Sequence, residues 1–367
     1  MGAGWFVIRI VNMEILEKIP DTEHERILFA SDPENSYRGI IAIHSSVRGP
    51  AVGGTRFWNY ANEDDALLDA LRLSRGMTYK NALADLPLGG GKSIIIGDQN
   101  RGNRKALFRS HGRFIETLKG TYITGEDVGT TPSDMAIMLE ETKHVAGTPN
   151  GAGDPSPATA HGVFRAIQAS IKFLQGNDDL SQTTVALQGC GHVGYFLARK
   201  LHEAGARLIV TDVDQNKVSR MVSEFGAVAV SPENIFSARA DIFAPCALGG
   251  VLNDKTIPQL RVKIVAGAAN NQLLEEKHAD QLLARGILYA PDYAANAGGV
   301  IHGCTEILGW ESKQTNRRVD EIYQTMLKIF EKAQTERIST NRAADLLAET
   351  RLKEDARPKE TFRQRAE

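Results

Sequence analysis

Cysteine is scarce: the 367-residue chain holds three, Cys190, Cys246 and Cys304, in no CxxC spacing. An odd, scattered set cannot pair completely within one chain and fits a reducing, cytoplasmic setting. Excess charge of either sign is missing as well. The 43 basic residues nearly cancel the 45 acidic ones, leaving a formal net charge of -2, so nothing electrostatic argues for nucleic acid or an anionic membrane as partner. No stretch of about eighteen consecutive apolar residues occurs, so no segment reads as a membrane-spanning helix. The apolar run between Met1 and Val11 has neither a basic segment before it nor a small-residue cleavage site after it, which argues against a signal peptide. Internal repeats and low-complexity tracts are absent too.

What is present is the balance of a globular protein, 42% hydrophobic and 24% charged. At roughly 150 residues per domain the length predicts two or three domains. Isoleucine-rich runs at Arg26–Ala30 and Gly39–His44 read as strands around a polar turn. Asn62 can cap a helix from Glu63 to about Lys80, whose Ala66, Leu67, Ala70 and Leu71 share one face. Gly89-Gly90-Gly91 reads as a loop feeding a strand at Ser93–Gly97, and Tyr122–Thr124 as another strand. Residues 148–157 are dense in glycine, proline, asparagine and aspartate, as a linker is. Beyond them, short apolar strands at Thr184–Gln188, Leu208–Thr211, Asp241–Ala244, Ile264–Ala266 and Ile287–Ala290 alternate with helical stretches, which predicts a doubly wound parallel sheet. Val319–Thr335 and Asn341–Leu352 read as helices. The expectation is an α/β protein of two domains: a first α/β domain over 1–148, a Rossmann-type domain over 149–310, helices over 311–352 that pack back on the first domain, and a disordered charged tail over 353–367.

Gly189-Cys190-Gly191-His192-Val193-Gly194 matches GxGxxG directly after one of these strands. The first glycine permits a tight turn, the second lets a pyrophosphate approach backbone N–H groups, and the third allows close packing of helix on strand. Alone the motif also serves ordinary packing. Asp212, ending the next strand, lies 18 residues after Gly194, near the roughly twenty-residue spacing of a ribose-binding acid. A carboxylate there accepts ribose hydroxyls and repels a 2'-phosphate, so NAD is favoured over NADP. Cys190 and His192 read as spacers, and no second soft ligand is spaced for a metal.

Two lysines stand in unusual settings, Lys80 and Lys92. Glycines beside Lys92 remove side chains that would fill the space around its ammonium, and the apolar Ile94–Ile96 draws the strand into a core. Burial lowers an amine pKa, as a lysine general base requires. On pattern alone a solvated surface lysine is an equal reading. Asp127, at a strand end, can neutralise one of them or sit exposed in a turn.

Gly53-Gly54-Thr55-Arg56, Arg75-Gly76-Met77-Thr78-Tyr79-Lys80-Asn81, Gly89-Gly90-Gly91-Lys92, Glu126-Asp127-Val128-Gly129, Phe243-Ala244-Pro245-Cys246-Ala247-Leu248-Gly249, Gly267-Ala268-Ala269-Asn270-Asn271 and Asn296-Ala297-Gly298-Gly299 follow in order. Over about residues 14–352 the chain resembles the amino-acid dehydrogenases of the glutamate/leucine/phenylalanine/valine superfamily, in their short hydrophobic-substrate branch. Met13 precedes the first family-like segment and is a second possible start.

The resemblance implies reversible, NAD-dependent oxidative deamination of an L-amino acid. It makes Lys92 the general acid and base, Asp127 a carboxylate assisting proton transfer near the amino group, and Lys80 the holder of the substrate carboxylate. Gly53, Met77, Gly125, Asn270 and Val300 would line the substrate pocket. With the GxGxxG residues and Asp212, the positions Ser156, Thr159, Ala247, Leu248, Ala268, Ala269 and Asn270 would hold the cofactor. The first domain would bind substrate and assemble a homo-oligomer, and residues 148–157 would be the hinge for closure. No additional cation is evident for a glutamate side chain, so an apolar side chain is expected: branched-chain first, with Gly125 leaving room for an aromatic one. The reading of another class, a non-catalytic NAD-binding module, would need no paired lysines.

Overall fold

The computed structural model describes residues 23–99 and 102–356. The chain start, with Met1–Val11 and Met13, lies outside them. Two sheets organise the molecule. The first contains β1 (Arg26–Asp32), β2 (Tyr37–Ser45), β3 (Ala51–Trp58), β4 (Gly89–Ile96) and β5 (Tyr122–Glu126), in the order β1-β2-β4-β3-β5. β1 and β4 run antiparallel to β2, whereas β3 runs parallel to both β4 and β5. Around it lie α1 (Glu63–Leu83), α2 (Arg104–Glu116) and α3 (Pro132–Leu139).

α1 starts where the sequence puts it. The Asn62 side chain accepts the Asp65 N–H at 2.8 Å, and Glu63, Asp64 and Asp65 place negative charge on the positive end of the helix dipole. It runs to Leu83, beyond the expected Lys80. The triple glycine is not a loop but the first half of β4. A Cβ on Gly90 would lie 2.0 Å from the Thr78 backbone nitrogen, and one on Gly91 2.8 Å from the Tyr122 ring. These glycines therefore let α1 and a tyrosine press directly on the strand; they do not open space around Lys92.

The second sheet is entirely parallel: β6 (Thr184–Gln188), β7 (Arg207–Thr211), β8 (Val228–Ala229), β9 (Ile242–Pro245), β10 (Ile264–Val265) and β11 (Leu288–Tyr289), ordered β11-β10-β9-β6-β7-β8. The chain winds outward from β6 to β8, then restarts on the other side at β9. A crevice outside the carboxyl ends of β6 and β9 follows from that reversal. The helices of this half are α4 (Ser156–Gln175), α5 (His192–Glu203), α6 (Gln215–Phe225), α7 (Lys277–Ala284), the short α8 (Asp292–Ala295) and α9 (Gly298–Ile307). Ser156, expected in the linker, is the first residue of α4. Gly298 allows α9 to approach α4, since a Cβ there would lie 2.1 Å from the Ala158 carbonyl.

Three helices close the chain: α10 (Ser312–Asp320), α11 (Ile322–Glu336) and α12 (Thr340–Ala356). The single helix expected over Val319–Thr335 is divided at Glu321. The tail expected to be disordered from Lys353 is helical to Ala356, and residues 357–367 lie outside the described residues. Arg351 of α12 donates to the Ala82 and Leu83 carbonyls at the end of α1. The largest apolar core spans both halves, joining Tyr79 and Leu83 of α1, Val163 and Ile167 of α4, and Met326 and Phe330 of α11. Residues 147–152 are bound to α9: Glu306 accepts the Gly147 and Ala152 N–H groups at 2.9 and 3.3 Å and the Thr148 hydroxyl at 3.0 Å.

Candidate active site

β4 carries Lys92 and Ser93 to opposite faces. Ser93 joins a buried hydroxyl network with Thr55, Thr124 and Tyr122, onto which the fully buried His111 of α2 closes. Lys92 faces the other way, its side chain 6% exposed, and its Nζ lies 2.8 Å from Asp127 Oδ2. Asp127 follows β5 directly and is pinned by its backbone N–H donating to Thr130 Oγ1 at 2.9 Å. Arg56 of β3 donates through Nε to the same oxygen at 2.9 Å and through Nη1 to Asp69 of α1 at 2.7 Å, and Tyr60 donates to Asp69 at 2.7 Å. Burial pulls the Lys92 pKa down, with Asp127 offsetting part of the effect. Burial works to raise the Asp127 pKa, but Lys92 and Arg56 overcome it and hold that carboxyl at about 2.

Lys80, in the last turn of α1, is half-buried and lies across from Asn270, whose Oδ1 it reaches at 3.4 Å. Asn296 holds that side chain, donating to Asn270 Oδ1 at 2.7 Å and to the Ala268 carbonyl at 3.1 Å. No carboxylate pairs directly with Lys80 among the described residues. Desolvation takes its pKa down to about 8; Asp292 works against that shift and the neighbouring Lys92 charge adds to it.

The other expected substrate positions differ in the room around them. Gly53 of β3 has no room for a side chain, since a Cβ would lie 1.8 Å from the Gly91 carbonyl and 3.4 Å from Met77. Gly125 differs: the nearest atom to an added Cβ is 3.6 Å away. Val300, in the first turn of α9, is partly buried against the apolar core.

The glycine loop has the three expected geometries. Gly189 turns with φ +99°, and a Cβ on Gly194 would lie 2.0 Å from the Gly189 carbonyl, while nothing stands within 4 Å of a Cβ on Gly191. The first N–H groups of α5 have no side-chain cap, so they are free to receive an anion at the positive end of the helix dipole. Asp212 already binds the loop: Oδ2 accepts the Cys190 N–H at 2.6 Å and Oδ1 the Asp214 N–H at 2.9 Å. The residues fit a dinucleotide.

Ala247 meets Gly189 across the crevice, and Leu248 is 78% exposed beside it. Ala269 is buried, its carbonyl accepting from Gln272, whereas Ala268 is half-buried and serves Asn296. Ser156 and Thr159 lie in the first turn of α4, where Thr159 donates to the Pro155 carbonyl. Cys190 is buried with its thiol pushed by burial up to about 12, and Val193 packs on the core. His192 is a surface side chain, 3.7 Å from Asp154. Sequence reasoning gave no role to Asp69, Tyr60 or Asn296, and quoted Arg56 without one. Arg56 had a signal, an arginine closing a two-glycine strand motif; Asp69 had none, being one acid among several on a helix.

Similarity to known proteins agrees with this geometry. Residues 24–144 match the profile of the Glu/Leu/Phe/Val dehydrogenase dimerisation domain, and residues 151–216 and 209–358 that of Glutamate/Leucine/Phenylalanine/Valine dehydrogenase. A leucine dehydrogenase of Geobacillus stearothermophilus is 49% identical over 96% of this chain and 97% of its own. A phenylalanine dehydrogenase of Lysinibacillus sphaericus is 46% identical over 92% and 90%. The crystal structure of L-tryptophan dehydrogenase from Nostoc punctiforme superposes with a TM-score of 0.85 at 46% identity, covering 94% of this chain and all of that one.

Proposed function

The chain belongs to the Glu/Leu/Phe/Val dehydrogenase family and is an amino-acid dehydrogenase, and from that premise we propose NAD-dependent, reversible oxidative deamination of a hydrophobic L-amino acid, branched-chain by preference. The amino acid, NAD⁺ and water give the 2-oxo acid, ammonium, NADH and a proton. The observation that carries this reading is the buried Lys92–Asp127 pair at 2.8 Å beside Lys80, a cation with no carboxylate bound directly to it among the described residues.

The substrate carboxylate supplies Lys80 with that partner, and the new ion pair raises the lysine pKa and keeps it charged. Asn270, steadied by Asn296, fixes the direction from which the carboxylate enters. Asp127, held near 2, enters the cycle as an anion, so its part is to accept a hydrogen bond from the amino group and stabilise positive charge on that nitrogen. When bound, the nicotinamide supplies the hydride acceptor. Lys92, its pKa lowered by burial so that the free amine is accessible, takes the proton of a water that attacks the iminium carbon and returns a proton to the nitrogen as ammonia leaves. Closure of the two lobes excludes bulk water from this exchange; its pivot lies at Ala146–Gly147, before the expected hinge at 148–157, because Glu306 and His302 fasten residues 147–152 to α9.

The glycine loop, the open N-terminus of α5 and Asp212 would hold the pyrophosphate and ribose, with Leu248 and Ala247 against the nicotinamide end. Assembly into a homo-oligomer is supported by the dimerisation-domain match, and a cytoplasmic setting by three unpaired cysteines. Among the described residues no helix is long and apolar enough to cross a membrane. One observation favours an aromatic substrate instead: the open space at Gly125. NADH formation across L-leucine, L-valine, L-phenylalanine, L-tryptophan and L-glutamate decides between them. Branched-chain substrates are expected to give the highest kcat/KM, and activity confined to glutamate, or none at all, overturns the reading.

A further inference from the structure

Two cations meet on one oxygen. Lys92 Nζ and Arg56 Nε both donate to Asp127 Oδ2, at 2.8 and 2.9 Å, and no described residue donates to Oδ1. Arg56 is itself fixed from behind, its Nη1 on Asp69 Oδ2 at 2.7 Å, where the Tyr60 hydroxyl also donates. The guanidinium fork is thus filled on both sides by groups from different elements: the turn after β5 and the helix α1. Arg56 and Asp69 are largely buried, with side-chain exposures of 19% and 13%, so this is not a solvated surface pair.

We infer that Arg56, backed by Asp69, is a positioning residue for deamination: it claims Oδ2 of Asp127 together with Lys92 and so turns Oδ1 towards the substrate's amino group. The inference rests on the proposed reaction and deepens it. Arg56 cannot exchange a proton during the cycle, which makes it suited to anchoring and unsuited to a relay. A lysine in its place could carry the charge but not reach both carboxylates through a planar fork.

Arg56 also sets when Lys92 can act. The charged groups around Lys92 are Asp127 from the turn after β5, Arg56 from β3, and Asp69 and Lys80 from α1. Asp127 and Asp69 favour its protonated form, whereas Arg56 and Lys80 oppose it. Removing the Arg56 charge therefore makes Lys92 harder to deprotonate, and removing the Asp69 charge makes it easier. A residue acting only through the fold has no reason to give shifts of opposite sign.

The test compares wild type, Arg56→Gln, Arg56→Lys and Asp69→Asn by the pH dependence of kcat/KM for NADH formation with L-leucine. In the cofactor-free proteins, the pH dependence of Lys92 amine labelling is read by mass spectrometry. Arg56→Gln is expected to move both profiles to higher pH by about one unit, and Asp69→Asn to move them lower. Arg56→Lys should restore the profile's position while kcat stays at least about tenfold down, with little change in the amino-acid KM. Unmoved profiles, or shifts of the same sign in both charge-removing variants, overturn the inference even if every variant deaminates leucine. The labelling arm reads Lys92 without turnover, so an enzyme inactive on all amino acids would sink the proposed reaction without hiding the charge effect. If Arg56→Gln does not fold, the Asp69→Asn shift alone decides the charge effect.

Discussion

Replacing Gly90 by alanine adds one methyl group at the point where α1 meets β4. Its carbon would stand 2.0 Å from Thr78 N, 2.2 Å from Thr78 Oγ1 and 2.4 Å from Thr78 Cα. Ordinary contacts between such atoms are about 3.5 Å or more, so the helix must withdraw by more than an ångström or the strand must buckle. Two of the three opposing atoms are backbone, and no rotamer change relieves them. Overpacking of this kind costs about 1–3 kcal/mol, and a clash with backbone belongs at the upper end. The consequence extends to catalysis because Lys80 lies two residues beyond Thr78 and Lys92 two beyond Gly90. A displacement of about 1 Å between reacting groups lowers turnover by about a hundredfold. Urea midpoints and kcat/KM of Gly90→Ala and Gly125→Ala should therefore separate. The first is expected to lose both stability and activity. The second, with its nearest neighbour at 3.6 Å, should keep its midpoint and change only which side chain is preferred. A Gly90→Ala protein with wild-type midpoint and turnover would refute the packing argument.

Lys80→Ala should raise the amino-acid KM far more than it lowers NAD affinity; an unchanged KM would remove its assignment to the substrate carboxylate. Wild type is expected to use NADP poorly, and Asp212→Ser to improve NADP relative to NAD while weakening both, because the glycine loop loses its hydrogen bond from Cys190 N–H and the turn after β7 loses that from Asp214 N–H; NADP preference in the unaltered enzyme would contradict the ribose role. Burial lowers the pKa of His44 and of His111 to about 3, so the unfolded chain binds these protons first as pH falls. The stability they supply in neutral form is full above about 6.5 and is lost on acidification towards 3, by about 2 kcal/mol for each histidine between pH 8 and pH 5. A urea midpoint that stays level across that interval would show that neither ring is held neutral.

Five of the six strands of the parallel sheet were legible because each is a short apolar run between turn residues, and Thr184–Gln188 has the same limits in the sequence reading and in the structure; β8, two exposed residues at the sheet edge, carries no such signal. β3 escaped that reasoning, as did the strand character of Gly89–Gly91. Glycines there carry no strand propensity, and what makes them strand residues is a helix and a tyrosine pressing on them from afar in the chain. The break at Glu321 was equally hidden, since apolar spacing continues through it. At the site, family resemblance gave Lys80 and Lys92 their roles, and burial explains why their pKa values fall. The Arg56–Asp69 support depends on a helix crossing a strand motif, a relation that spacing along the chain does not express.

The grip of Glu306 on residues 147–152 has a mechanical outcome. A stretch rich in glycine and proline invites the image of a slack strap, yet three hydrogen bonds accepted by one carboxylate, together with His302 on the Ala152 carbonyl at 2.8 Å, make it a rigid cuff on α9. On the other side, Ala146 is still tied to the first sheet through the Thr124 carbonyl at 2.8 Å. A swivel at this crossing would therefore fall on the joint between Ala146 and Gly147, the latter at φ +76°.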